Sequence, residues 1–233
     1  MKKISLLLVL LPLLVLAGCH HGMHNQITGS GKREVQKREV ASFTSISTQG
    51  AFDIHVVCQK PVTLEIEGDD NILSLVSTEV SHSVLYVKSA KAYSVSQPIA
   101  LRISVPNLDG LTVSGAGKIE ISGMKNDKFE IDSEGAPSIK VSGTTKVVDI
   151  DTSGAAKIDT HNLHASRAVV DSKGVSKVDL DASDQLDVTI SGPSQVTYQG
   201  DPVVNKTVHG PGKIEKRASE GASVGKNHRS YII

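Results

Sequence analysis

Six glycines recur through the second half of this chain at intervals of 20, 19, 20, 18 and 18 residues, and no other feature limits its fold so tightly. They are Gly115, Gly135, Gly154, Gly174, Gly192 and Gly210, and four residues after each stands Ile119, Ile139, Ile158, Val178, Val196 or Ile214. A fixed period of this length marks stacked supersecondary units, each too small to bury its own apolar face. After the glycines, Ile119 with Ile121, Ile139 with Val141, Val178 with Leu180 and Val196 with Tyr198 alternate as one inward-facing strand. Before them, Phe129/Ile131, Val148/Ile150, Ala168/Val170 and Leu186/Val188 form a second. Each unit thus holds two short strands and a glycine corner where the chain turns without a side-chain clash. At about 3.3 Å per residue, twenty residues close a loop of roughly 66 Å, the perimeter of a flattened β-helix. Aromatic residues make up 3% of the chain and Trp is absent, so aliphatic side chains must fill a narrow core. The predicted fold class is all-β, a parallel β-solenoid, right-handed because parallel crossovers favour that hand. Alternation and turns alone would also allow a β-sandwich.

Upstream, Gly50-Ala51-Phe52-Asp53-Ile54-His55-Val56 already follows the repeat, whereas 65 residues separate Gly50 from Gly115, enough for three coils with an insertion. Residues 62–66, 84–87 and 99–105 alternate as strands. Between them Ile72, Leu75, Val76 and Val80 follow Asp70 at helical spacing, which predicts one short helix of two or three turns capped by that aspartate. It would shield an end or flank of the solenoid whose strand edge could otherwise recruit other chains.

The first residues read as a targeting signal. Lys2 and Lys3 precede an apolar run from Ile4 to Leu16, too short to span a bilayer, and Leu16-Ala17-Gly18-Cys19 closes it with small residues before a cysteine. The pattern resembles the lipobox of bacterial lipoproteins. That resemblance implies a signal peptide over 1–18, a lipidated (palmitate-bearing) Cys19 as the new N-terminus and attachment to a membrane through buried acyl chains. His20 after the cysteine, by analogy with enterobacterial sorting, favours the outer membrane. Residues 19–41 read as a lipidated flexible tether, 42–217 as the solenoid domain and 218–233 as a tail. His20, His21 and His24 lie together in the tether, but no carboxylate or thiol beside them completes a metal geometry. Loss of Lys2 and Lys3 leaves 23 basic against 25 acidic side chains, a net of −2 that gives no basis for nucleic-acid binding. With Cys19 acylated, only Cys58 remains; it is in phase with Ile54 and Val56 and reads as a buried, inert thiol.

From Phe43 to about Lys216 the sequence resembles the auto-transporter adhesin "head GIN domain" family of bacterial envelope proteins. The residues that carry the likeness are Phe43-Thr44-Ser45-Ile46, Gly50-Ala51-Phe52-Asp53-Ile54, Gly68-Asp69-Asp70-Asn71-Ile72 and Val105-Pro106-Asn107-Leu108. Ser114-Gly115-Ala116-Gly117 and Ser153-Gly154-Ala155-Ala156 complete it. The resemblance implies a β-helical domain without established catalytic residues, acting as an adhesin or binding module. Seventeen residues follow Lys216, too few for the barrel of a true autotransporter.

Two outward columns are candidate sites. Asp132, Asp151 and Asp171 stand three residues before successive glycines, with Glu130, Asp149 and Asp187 two positions earlier. Stacked at about 4.8 Å, like charges repel by a few tenths to about one kcal/mol per pair, a cost that suits a cation or basic partner unless nearby lysines offset it. The alternative is a solvated acidic face. Lys118, Lys157, Lys177 and Lys213 stand three residues after their glycines, suited to an acidic polysaccharide or anionic headgroup, or simply forming a soluble corner. A carbohydrate-cleaving activity would need clustered acids with a positioned base, or paired carboxylates. Here the acids follow the ladder, and Arg167 is the repeat region's one arginine. HExxH and phosphate-loop patterns are absent. The expectation is a non-enzymatic envelope lipoprotein without cofactor or metal. It would present a polar surface to glycan or to an envelope or host protein, with a periplasm-facing structural lipoprotein as the alternative.

Overall fold

A computed structural model describes residues 26–217; the signal peptide, Cys19 and the tail over 218–233 lie outside the described residues. The chain opens with β1 (Ile27–Thr28) and β2 (Arg33–Lys37), then forms β3 (Ser45–Gln49), β4 (Phe52–Cys58) and β5 (Thr63–Asp69). A single helical turn, α1 (Asp70–Leu73), leads to β6 (Val76–Ser81), β7 (Val84–Ser89), β8 (Tyr93–Ser94) and β9 (Ile99–Val105). β10 (Gly110–Gly115) begins the repeats, which continue through the long bent strands β11 (Lys118–Gly135), β12 (Ser138–Gly154), β13 (Lys157–Gly174) and β14 (Lys177–Ser191). β15 (Gln195–Gln199), β16 (Val203–His209) and β17 (Lys213–Lys216) complete the described chain.

The result is the expected parallel solenoid with two faces. One face runs β6, β7, β3, β10, the C-terminal halves of β11 to β14, and β16. The other runs β2, β5, β9, β4, the N-terminal halves of β11 to β14, β15 and β17. Every pairing from β7 and β9 onward through the stack is parallel, and three antiparallel pairings close the N-terminal end.

Inward columns form the core. Leu101, Ile54, Ile119, Ile139, Ile158, Val178 and Val196 stack in one, and Leu85, Ile46, Leu111, Ile131, Ile150, Val170 and Val188 in another. All fourteen are buried, and each contributes about 1.5–3 kcal/mol of transfer free energy. The glycine corner is stricter than its conformation alone requires. Gly135 has φ +106°, and a Cβ there would lie 2.3 Å from the carbonyl oxygen of Gly115 in the coil below. The side chain is excluded both by φ and by stacking.

Three expectations need correction. The helix is one turn, because Val76 and Val80 belong to strand β6, whose pairing with β7 overrides the helical spacing. Asp69, not Asp70, is the N-cap residue. The 65-residue interval holds one further coil, β7 with β9, plus a cap, and not three coils. That coil lies outside the one formed by β3 and β4, so the chain crosses from β9 over that layer to reach β10.

The tether also ends earlier than expected. β2 pairs with β5, and β1 with β8, so the strands over 27–37 belong to the folded domain. The Gly68-Asp69-Asp70-Asn71 stretch holds this strap. Asn71 accepts from the Ser30 N–H and donates to Thr28 O, Asp70 accepts from Ser30 Oγ, and buried Asp69 accepts from the Gly31 N–H. Arg38 then reaches under the cap and donates to Leu73 O, Val76 O and Thr78 Oγ1.

Candidate functional site

The acidic columns stack as the spacing predicts. Thr112, Asp132, Asp151, Asp171, Thr189 and Thr207 align in register, as do Gly110, Glu130, Asp149, Val169, Asp187 and Asn205. Three cations partner five of these six carboxylates and offset half of their charge. Lys173 bridges Asp151 (3.4 Å) and Asp171 (3.2 Å), and Lys128 bridges Glu130 and Asp149. Asp187 is fully engaged, accepting from Asn205 Nδ2, Gln185 Nε2 and both Nε and Nη2 of Arg167. The Asn205 and Gln185 amides and then Arg167 hold its carboxyl at about 2. Asp132 is the contrast: partial burial, then the charges of Asp151, Glu134 and Glu130, push its carboxyl above the ordinary aspartate value.

The lysine row aligns too, as Lys118, Ser138, Lys157, Lys177, Gln195 and Lys213 on the opposite face. Lys118 sits 2.9 Å from Glu120 and Lys213 3.9 Å from Glu215, while Lys157 and Lys177 stack side by side, exposed. Four residues spread along the stack in this way form a row without a concave site.

Cys58 is buried as expected, and burial pushes its thiol up to about 11, which leaves it unreactive.

Two groupings were not anticipated. Asp159, His161 and Asp179 place one ligand-type atom each within 4.8 Å of one another. His161 Nδ1 contacts Asp159, and Arg217 contacts Asp179, so both carboxylates already have a partner. Burial opposes the charge on Asp159, but His161 holds its carboxyl below the usual range. Asp159 and His161 stand two residues apart on the outward phase of β13, and Asp179 is the neighbour of Asp159 in β14, so the same column reading that located the acidic rows could have found this group.

The other is a polar trough on the acidic face, at its N-terminal end. The outward column there reads Val84, Ser45, Gly110 and Glu130, and Gly110 leaves a gap in it. An open cavity of about 650 Å³ results, lined among others by Asn107, Asp109, Asn126 and Lys128. A second hollow shares Ser45, Gly110 and Glu130 with it and extends to Tyr86 and Asp132. The signal was present in sequence as a glycine out of phase with the corner glycines, but its gap depends on β3 lying beside β10, which the local sequence does not reveal.

The fold has counterparts among crystal structures. A putative adhesin from Bacteroides fragilis NCTC 9343 is 22% identical, with a TM-score of 0.69 over 82% of this chain and all of that one. A putative lipid binding protein from Parabacteroides distasonis ATCC 8503 is 20% identical, with a TM-score of 0.52 over 83% of this chain and all of that one. No curated protein matches the sequence. The model of one family, described as "Putative auto-transporter adhesin, head GIN domain", matches residues 42–202, and the chain belongs to that family.

Proposed function

We propose that the chain is a non-enzymatic binding module of the bacterial envelope, an adhesin carried on a lipoprotein anchored through Cys19 in the outer membrane. The observation that carries this reading is the form of the outer surface. Parallel register turns each outward position into a row of polar side chains along the stack, and the acidic face opens into a polar trough. The carboxylates that could serve acid–base chemistry are largely committed to Lys128, Lys173 and Arg167. Such a surface suits recognition over many weak contacts. Membership of an adhesin family supports the same role and an envelope location.

Two comparisons test it. Cells producing the full chain should be retained on glycan- or matrix-coated surfaces more than cells lacking it, and Cys19→Ala should shift the chain from the membrane to the soluble fraction and remove the retention. Equal retention with and without the chain contradicts the adhesive role. Turnover of any member of a broad polysaccharide panel, lost in Asp151→Asn or Asp171→Asn, would replace the reading with an enzymatic one.

A further inference from the structure

We infer that the trough over Gly110 is a saccharide subsite that takes a neutral sugar chain. This deepens the binding-module reading and rests on it. The floor of the trough is made of small side chains, Ser45, Ser47 and Thr112, around the gap at Gly110. Tyr86, 40% exposed, stands on one side and Asp132 on the other, three strand spacings apart, or about 14 Å. A chain of pyranose rings can lie across such a floor with the tyrosine ring as its apolar flank.

The chemistry of the lining favours hydroxyl groups. Sugar hydroxyls both donate and accept, and the trough offers carboxylates at Asp109, Glu130 and Asp132, an amide at Asn107 and the Ser45 hydroxyl. Asn107 and Asn126 each commit the amide nitrogen to the protein, to Asp109 Oδ1 and Leu108 O, and their amide oxygens are buried without a protein partner. Charge sets the class of sugar. Asp109, Asp127, Glu130 and Asp132 face Lys125 and Lys128; Lys128 is already spent on Glu130 and Asp149 and Lys146 pairs with Asp127, which leaves Asp109 and Asp132 without an ion-pair partner among the described residues. An anionic polysaccharide would be repelled here. Peptides are disfavoured by position. Peptide capture commonly adds a strand to a free sheet edge, whereas β3 and β10 each have hydrogen-bonded neighbours on both sides.

The test uses the full-length lipidated chain in detergent, titrated with cellohexaose, maltohexaose and chitohexaose, with polygalacturonate and a lysine-rich peptide as competing classes. Binding is expected to at least one neutral oligosaccharide and to neither competitor. Gly110→Gln fills the trough at a position whose φ lies outside the left-handed region and where an added Cβ meets only the Ser45 side chain; it should weaken binding at least tenfold with an unchanged melting temperature. Tyr86→Ala, at the surface and safe for folding, should do the same, while Lys157→Ala/Lys177→Ala on the opposite face should bind as the parent does. Binding that survives both Gly110→Gln and Tyr86→Ala overturns the subsite, as does preference for polygalacturonate or the peptide. A chain that retains cells on surfaces yet ignores every neutral oligosaccharide also overturns it, leaving the adhesive role standing; a chain that does neither overturns both.

Discussion

At the scale of single residues, the corner positions decide whether coils can stack at all. Gly135→Ala combines a left-handed backbone with a 2.3 Å approach to the Gly115 carbonyl oxygen. It should cost at least about 2 kcal/mol in urea unfolding, against a much smaller effect of Gly110→Ala. Ser194 is a second critical residue: its Oγ donates to Gly174 O and accepts from Ser172 Oγ and the Ser176 N–H inside the corner. Ser194→Ala leaves buried groups unpaired and should cost about 1–3 kcal/mol. The two perturbed aspartates point in opposite directions. Asp187 is held near 2 by Asn205, Gln185 and Arg167. Its contribution is therefore complete above the ordinary aspartate pKa of about 4 and is lost as pH falls towards 2, so Asp187→Asn should lower stability at pH 7 and flatten its decline in that window. Asp132 is raised by partial burial and by Asp151, Glu134 and Glu130, so its ionised form costs stability at neutral pH. Asp132→Asn should raise the urea midpoint at pH 7, with the gain vanishing in acid. A variant that is stabler and binds less would mark Asp132 as a residue kept for its ligand.

At the scale of elements, the N-terminal cap explains what the period could not. The apolar phase of β11 to β14 was legible because six copies repeat it and each inward residue has the same neighbour above and below. The cap occurs once. Ile72, Leu75, Val76 and Val80 fit a helical spacing, yet β6 is drawn into strand by β7, a partner no local pattern reveals. The ordering of residues 27–37 was hidden for the same reason, since β2 has few apolar residues and is held by pairing with β5 and by Asp69, Asp70 and Asn71. Of the candidate site, the acidic and basic rows could be read from spacing, but the lysines that partner the acids and the trough at Gly110 arise from lateral contacts between coils. Asn71→Ala should therefore release hydrogen-exchange protection in β2 while leaving β12 and β13 unchanged.

At the scale of the molecule, the two ends differ. The N-terminal end is closed by antiparallel strands, whereas β16 and β17 form the last described coil, and there two of the inward columns end in exposed lysines, Lys206 after Val188 and Lys216 after Tyr198, while others end in Val204, Val208 and Ile214. A charged side chain at a sheet edge discourages further pairing. Lys206→Val with Lys216→Ile should consequently increase end-to-end association over that of the parent chain in analytical ultracentrifugation. The proposed envelope module would hold its ligand along its side. Orientation of that module decides between an adhesin and a structural lipoprotein turned towards the periplasm. The most direct measurement is whether a protease or membrane-impermeant label added to intact cells reaches the domain while a periplasmic control protein stays untouched. The account predicts labelling of the domain with the control protected; protection of both would contradict the adhesin and place its partner inside the envelope.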